Sequence, residues 1–125
     1  MSNPVRILVV DDDPTILDFV ALALNDEGYE VETATDGRAA LEAVRRQPPD
    51  LILLDMRMPI MDGWQFAEAY AAMPGPHAPI VVLTAAEDAA ALAAEIHAQG
   101  YVAKPFALDD LLTMVEQHAR LEKVS

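Results

Sequence analysis

The sequence predicts an α/β fold in which five parallel strands alternate with five helices to form a doubly wound sheet. Two continuous runs of apolar, mostly branched residues, Ile7–Val10 and Leu51–Leu54, are typical of strands that are buried on both faces. Each run leads directly into aspartates, Asp11–Asp13 after the first and Asp55 after the second. Because ligands of such sheets bind beyond the carboxyl ends of the strands, we expect these aspartates to converge at one site.

The first half of the chain contains three predicted strands and two predicted helices. The first helix begins after Asp13, an expected N-cap, with Pro14 at its first helical position, and Gly28 is the expected end signal. In order, the elements of this half are a strand over Val5–Val10, a helix to about Asp26, a strand over Tyr29–Thr33, a helix over Asp36–Arg46 and a strand over Leu51–Leu54.

The second half contains three predicted helices and two predicted strands. In order, they are a helix from Gly63 to about Met73, a strand over Ile80–Leu83, an Ala-rich helix over Glu87–Ala98, a strand over Tyr101–Ala103 and a helix over Leu108–Leu121. We expect a single domain over residues 1–125, with a core over about 5–121 and no effector domain. The start at Met1 and the end shortly after the last helix favour a stand-alone protein over an excised domain.

Composition excludes several classes of protein. Hydrophobic residues make up 53% of the 125 residues, which excludes a disordered chain, and the absence of cysteine excludes disulfides and thiolate chemistry. The net charge of −13 argues against binding to nucleic acid or to an anionic membrane. The N-terminus lacks a secretory signal, and no apolar run approaches the ~20 residues of a membrane span. We therefore expect a cytoplasmic domain.

The aspartates at the strand ends predict a metal site. Crowded carboxylates repel one another and resist ionising together unless a cation neutralises them. Oxygen-only ligands of this kind suit Mg²⁺. Since Asp13 is expected to cap the first helix, the candidate ligands are Asp11, Asp12 and Asp55.

Five short motifs follow one another along the chain, each at a predicted strand end. They are Val10-Asp11-Asp12, Leu54-Asp55-Met56-Arg57-Met58-Pro59 with Asp62-Gly63, Thr84-Ala85, Tyr101, and Lys104-Pro105-Phe106. Each motif alone is weak, whereas the ordered set is highly specific. Across essentially its whole length, the chain resembles the receiver domain of two-component response regulators. The resemblance implies a flavodoxin-like (βα)5 fold.

The resemblance also implies roles for the charged residues. Asp55 is similar to the phosphoacceptor, a carboxylate nucleophile that forms an aspartyl phosphate. Asp12 is expected to ligate Mg²⁺ directly and Asp11 through water, with Asp55 and the backbone carbonyl of Arg57 as further ligands. Lys104 is expected to contact a phosphoryl oxygen or, before transfer, Asp55 itself.

Further roles implied by the resemblance concern phosphoryl binding and switching. The Thr84 hydroxyl and the Ala85 N–H are expected to donate to phosphoryl oxygens, and Met56 is assigned to the same phosphoryl-binding set. Tyr101 resembles the aromatic switch residue that turns inward when Thr84 is drawn toward the phosphate. The family typically has a cis peptide bond before the proline at position 105, which aims Lys104 into the site.

The partners implied by the resemblance are proteins. A sensor histidine kinase or a histidine phosphotransfer domain would dock on the first helix and the loop near Pro105. The downstream target would bind the face shared by the fourth helix, the fifth strand and the fifth helix. We expect a monomer or weak dimer without nucleic-acid or membrane contacts, and no enzyme activity beyond self-phosphorylation and self-dephosphorylation.

Three other functions remain as alternatives. A receiver-like adaptor would signal without phosphorylation. A phosphohydrolase of the haloacid dehalogenase type also uses a strand-end aspartate and Mg²⁺, but it needs a second aspartate where this chain has Arg57. A nucleotide- or flavin-binding module would need a Gly-rich phosphate loop after the first strand, where this chain has Asp11–Asp13.

Three positions depart from the family pattern. In fast-hydrolysing receivers, the residues two beyond the acceptor and two beyond the threonine orient the attacking water. Here these residues are Arg57, whose side chain we expect to cover the phosphate, and Ala86, so we expect slow hydrolysis of the aspartyl phosphate. The glycine usual at the end of the fourth helix is replaced by His97.

Overall fold

The computed structural model of the protein describes residues 4–85 and 87–124, with side chains described as far as residue 119. Strands and helices alternate along the chain as predicted. Their bounds are β1 (Arg6–Val10), α1 (Pro14–Asp26), β2 (Glu30–Ala34), α2 (Gly37–Arg46), β3 (Leu51–Asp55), α3 (Gly63–Ala72), β4 (Ile80–Ala85), α4 (Ala89–Glu95), β5 (Gly100–Lys104) and α5 (Leu108–Val124). The last two residues of the expected core over about 5–121 have no described side chains.

The five strands form one parallel sheet in the order β2-β1-β3-β4-β5. The strand β2 lies on one side of β1, whereas β3, β4 and β5 follow one another on the other side. The point where the direction reverses therefore lies between β1 and β3, and a crevice forms there beyond their carboxyl ends. The predicted flavodoxin-like, doubly wound fold is confirmed.

Each face of the sheet is covered by its own set of helices. On one face, Leu8 and Ile52 pack in a core with residues of α2, α3 and α4. On the other face, Ile7 and Leu53 pack in a core with residues of α1 and α5. Because successive residues of β1 and β3 enter opposite cores, both strands read as continuous apolar runs. None of the helices in the described part of the chain has the length and apolar character needed to cross a membrane.

Aspartates set the starts of three helices. Asp13 accepts a hydrogen bond from the Thr15 N–H at 2.9 Å, which confirms the predicted N-cap of α1. Asp36 caps α2 in the same way. Asp62 and Gln65 form a reciprocal capping box at the start of α3. These caps fix where the helices leave the edge of the sheet at which the strand-end aspartates lie.

The helix α4 differs most from its prediction, because it covers Ala89–Glu95 instead of Glu87–Ala98. Its start follows Asp88, which occupies the N-cap position but makes no side-chain cap hydrogen bond. Its end is set by His97, whose φ of 56° lies in the left-handed region. The N–H groups that follow the helix bond to carbonyls of its last turns, a pattern in which glycine usually takes this position. The expected replacement of that glycine by His97 is confirmed.

Gly63 lies where α3 comes closest to the segment that follows β3. Its N–H donates to the Met56 carbonyl at 2.9 Å. A Cβ at this position would lie 2.7 Å from Met56 Cα and 3.0 Å from the Asp55 carbonyl oxygen. Because these are backbone atoms, relief of the overlap would displace the main chain that carries Asp55.

We expect Gly63→Ala to lower the free energy of unfolding by about 1–3 kcal/mol, because the added methyl group overpacks against the main chain. Urea denaturation followed by circular dichroism measures this change. Ala71→Ser, at an exposed position of the same helix, is the control and should stay within ~0.5 kcal/mol of the wild type. A Gly63→Ala protein as stable as the wild type would contradict the close approach.

Candidate functional site

Three aspartates meet at the carboxyl edge of the sheet. Asp11 follows β1, Asp12 is its neighbour, and Asp55 is the last residue of β3. One carboxylate oxygen of each residue lies within 4.8 Å of the other two. Asp11 is fully buried, Asp55 is 6% exposed and Asp12 is exposed. The structure therefore brings the three candidate metal ligands together, and we call them the acidic cluster.

The carboxylate of Asp11 is held from two sides. Its Oδ1 accepts a hydrogen bond from the Asp13 N–H at 2.9 Å. Its Oδ2 accepts one from Lys104 Nζ at 2.7 Å. A fully buried carboxylate is strongly destabilising without a counter-charge, so the fold depends on the ammonium of Lys104 at this position.

Lys104 lies closer to Asp11 than to the residue that the resemblance pairs it with. Its Nζ is 3.9 Å from Asp55 Oδ1, compared with 2.7 Å from Asp11 Oδ2. The preference of Lys104 for Asp11 follows from burial, because the Asp11 carboxylate is less exposed to solvent than that of Asp55. The peptide bond between Lys104 and Pro105 is cis, as the resemblance implies.

The fold alters the protonation of Asp55. Burial, together with the neighbouring charge of Asp11, raises the pKa of Asp55 from 3.8 to about 6. The ammonium of Lys104 and a hydrogen bond from the Arg57 backbone N–H act in the opposite direction. Asp55 thus remains largely ionised at neutral pH, but in an environment that favours any process that neutralises it.

A cleft of about 600 Å³ opens beside Asp55. Its polar wall includes Thr84 and Lys104, and Thr84 is only 3% exposed. Its apolar wall comes from α1 and from the segment after β5. The apolar lining residues are Ile16, Phe19, Pro105 and Phe106. A small anionic group could reach the Asp55 carboxylate here, with an apolar surface beside it for a larger molecule.

The remaining predicted residues take different positions. Ala85 lies at the exposed end of β4 and lines the cleft. Met56 is fully buried, and its side chain packs in the core under α3, so only its main chain can serve the site. Tyr101 is 45% exposed on β5. Ala86 lies outside the described residues.

Two contacts near the cluster were missed by the sequence analysis. Arg57 Nη2 pairs with Asp88 Oδ2 at 3.0 Å, so its guanidinium is directed to Asp88 in this structure, and its expected contact with a phosphate stays a prediction. Trp64 Nε1 donates to Glu95 Oε1 at 2.7 Å. The partners in each contact are 31 residues apart, and no spacing or motif in the sequence links them.

The acidic cluster fits a hard divalent cation. All candidate ligand atoms are oxygens, and Asp12 presents an exposed carboxylate beside two buried ones. Burial and then the neighbouring charge of Asp11 raise the pKa of Asp55, and the ammonium of Lys104 only partly opposes them. Further positive charge at this point would therefore stabilise the ionised form.

A family model for the response regulator receiver domain matches residues 7–116 of the sequence. The chain belongs to this family. Among curated relatives, the DNA-binding response regulator MtrA of Mycolicibacterium smegmatis is 41% identical over 117 residues, which cover 92% of this chain and 50% of MtrA. The response regulator MprA of Mycolicibacterium vanbaalenii is 41% identical over 111 residues, covering 87% of this chain and 48% of MprA. This chain thus spans about half the length of these relatives.

Solved structures of receiver proteins have the same fold. The chemotaxis response regulator CheY4 of Vibrio cholerae has a TM-score of 0.84 and 34% identity, and the match covers 92% of this chain and 98% of CheY4. A CheY-like receiver domain protein of Methanospirillum hungatei has a TM-score of 0.84 and 30% identity, with coverage of 97% and 98%. As a member of this family, the chain is a signalling domain of response regulators.

The raised pKa of Asp55 in this receiver domain predicts a pH-dependent stability. The folded carboxyl keeps its proton to higher pH than the unfolded one. The metal-free protein should therefore lose up to ~3 kcal/mol of unfolding free energy as the pH rises from about 4 to about 6. Asp55→Asn lacks this titration, so its advantage over the wild type should grow across the same window. Chemical denaturation in chelator at several pH values measures the difference.

Asp26→Asn is the matched control, because Asp26 is an exposed aspartate at the end of α1. Its difference from the wild type should stay within ~0.5 kcal/mol at every pH. If the difference between Asp55→Asn and the wild type were independent of pH, the raised pKa of Asp55 would be wrong.

Proposed function

We propose that this receiver domain accepts a phosphoryl group on Asp55, with Mg²⁺ at the acidic cluster, and signals by a change of conformation. The observation that carries the proposal is the meeting of the Asp55 carboxylate with Asp11, Asp12 and the ammonium of Lys104 at one edge of the sheet. This is the charge arrangement that phosphoryl transfer needs, because catalysis there rests on positioning and on neutralising negative charge.

Asp55 would act as the nucleophile. One of its carboxylate oxygens attacks the phosphorus of the donor's phosphohistidine, so that a P–O bond forms as the P–N bond breaks. The departing imidazole takes up a proton. The pKa of about 6 supports this role, since it leaves the carboxylate ionised and therefore nucleophilic at neutral pH.

The protein ligands of Mg²⁺ would be Asp12 and Asp55 directly, Asp11 through water, and the backbone carbonyl of Arg57. The indirect role suits Asp11, because both of its carboxylate oxygens already accept hydrogen bonds from the protein. The direct role suits Asp12, because its carboxylate is exposed. When bound, Mg²⁺ would neutralise carboxylate and phosphoryl oxygens that otherwise repel each other.

Donors around the cleft would hold the phosphoryl oxygens. Lys104 Nζ is 3.9 Å from Asp55 Oδ1, so it can contact an oxygen of a phosphoryl group that is bonded to Asp55. The hydroxyl of Thr84 and the N–H of Ala85 belong to the end of β4, which lines the same cleft. The main chain of Met56 directly follows Asp55 and supplies a further N–H.

The conformational response would run from Thr84 to Tyr101. Thr84 lies on β4 next to β5, where Tyr101 is 45% exposed in the described conformation. Movement of the Thr84 hydroxyl toward a phosphoryl oxygen would leave space into which the Tyr101 ring could turn. Phosphorylation would thereby shift an equilibrium between two conformations and alter the surface formed by α4, β5 and α5.

The phosphodonor would be a sensor histidine kinase or a histidine phosphotransfer domain. The apolar wall of the cleft, which includes Phe19 at 48% exposure, lies beside Asp55 and could seat such a partner while its phosphohistidine reaches the carboxylate. The downstream protein target would bind the α4–β5–α5 surface.

We further propose that residues 1–125 form a single receiver domain that works in the cytoplasm as a monomer or weak dimer. Its activity would be limited to its own phosphorylation and dephosphorylation. MtrA is named a DNA-binding response regulator, but the net charge of −13 makes direct contact of this domain with nucleic acid unfavourable. Slow hydrolysis of the aspartyl phosphate stays a prediction, since Ala86 lies outside the described residues.

Incubation with acetyl phosphate and Mg²⁺ should add one phosphoryl group to the protein, because the small donor bypasses any kinase. Intact-mass spectrometry measures the addition. Labelling should disappear in Asp55→Asn and in the wild type with excess chelator.

Asp26→Asn is the control and should label like the wild type. Full labelling of Asp55→Asn would show that Asp55 is not the acceptor. Absence of labelling in the wild type would favour the alternative of a receiver-like adaptor that signals without phosphorylation.

A further inference from the structure

Four residues link the loop after Asp55 to the two ends of α4. Arg57 pairs with Asp88 just before the helix, and its guanidinium carbon lies 5.7 Å from the centre of the Trp64 ring. Trp64 in turn donates to Glu95, the last residue of the helix. We call Arg57, Trp64, Asp88 and Glu95 the clasp.

The helix held by the clasp has weak ends of its own. It has seven residues, and Asp88 at its N-cap position makes no side-chain cap hydrogen bond because its carboxylate is directed to Arg57. At the other end, His97 takes a left-handed conformation that is unfavourable for a side chain with a Cβ. External contacts therefore have a large influence on where α4 lies and how often it opens.

Arg57 also lies at the phosphoryl-acceptor cleft. It lines the cleft beside Asp55 and, with Trp64, a second cleft of about 370 Å³. Its backbone N–H donates to the Asp55 carboxylate, so the main chain of the same residue contacts the acceptor. One residue thus touches both the reacting group and α4.

We propose that the clasp holds α4 in the unphosphorylated domain, and that a phosphoryl group on Asp55 releases α4 by competing with Asp88 for Arg57. The release step rests on the function proposed above. A phosphoryl group carries about two negative charges and can accept a bidentate hydrogen-bonded pair from a guanidinium, whereas Asp88 offers one charge.

The strength of the clasp suits a reversible device. The side chains of Arg57 and Asp88 are 62% and 44% exposed, and exposed ion pairs and cation–π contacts each shift an equilibrium by only about two- to fivefold. Such contacts bias the position of a short helix without locking it. A new charge at Asp55 can therefore outweigh them.

Hydrogen–deuterium exchange of the full chain tests the clasp directly. In the absence of phosphodonor, Arg57→Gln and Asp88→Asn should each raise amide exchange over residues 89–95 by about two- to fivefold. The double variant should show no further increase, because either change breaks the same pair. Arg45→Gln, at an exposed arginine of α2, is the matched control and should exchange like the wild type.

Phosphorylation with acetyl phosphate and Mg²⁺ should raise α4 exchange in the wild type and have a much smaller effect in Arg57→Gln. Trp64 is the single tryptophan, so its fluorescence should change on phosphorylation in the wild type and not in Arg57→Gln. Unchanged α4 exchange in both single variants would overturn the clasp. Unchanged exchange in wild type shown by mass spectrometry to be phosphorylated would overturn the release step.

Failure of the proposed function gives a different result. If the wild type takes up no phosphoryl group, the proposed function and the release step both fail. The comparison of unphosphorylated variants would still decide whether the clasp holds α4.

Discussion

The ion pair between Lys104 and the fully buried Asp11 is the contact on which the site depends. At 2.7 Å it gives this buried carboxylate a counter-charge, without which its burial would be strongly destabilising. This one ammonium faces three carboxylates, and burial together with the charge of Asp11 keeps the pKa of Asp55 raised despite it. Lys104 therefore offsets only part of the negative charge of the site, which would gain stability from a divalent cation. A phosphoryl group could then approach Asp55 with far less repulsion.

The fold places these charges by simple means. Parallel strands end at the same edge of a sheet, and the reversal of strand order between β1 and β3 leaves a crevice there. The two strands are buried on both faces, so their terminal carboxylates are fixed by the cores on either side. Gly63 adds a third constraint, because α3 approaches the main chain of Asp55 and Met56 too closely for a side chain. The rigid placement of Asp55 contrasts with the weakly capped α4, and this contrast would let a change of charge at Asp55 act on a nearby helix.

Much of this arrangement can be predicted from the sequence because it depends on residues that are close together in the chain. Continuous apolar runs identify β1 and β3, Asp13 with Pro14 marks the start of α1, and strand-end aspartates predict the acidic cluster. The predicted length of α4 is wrong at both ends, because the helix begins only after Asp88, which pairs with Arg57 instead of capping it, and ends before the left-handed His97. The closest partner of Lys104 is Asp11, a choice that depends on how deeply each carboxylate is buried. The contacts of Arg57 and Trp64 join residues far apart in sequence, so neither periodicity nor motif spacing could reveal them.

We infer that the acidic cluster binds a divalent cation and that Lys104 offsets only part of its negative charge. Calorimetric titration of Mg²⁺ into the wild type, Asp12→Asn and Asp26→Asn tests it most directly. Asp12 is exposed, so its substitution removes a ligand without disturbing the core. We expect one saturable site in the wild type and in Asp26→Asn, and binding weaker by about tenfold or more in Asp12→Asn, because ligand charge sets affinity. No saturable binding in the wild type, or equal affinity in Asp12→Asn, would show that these carboxylates do not form the cation site.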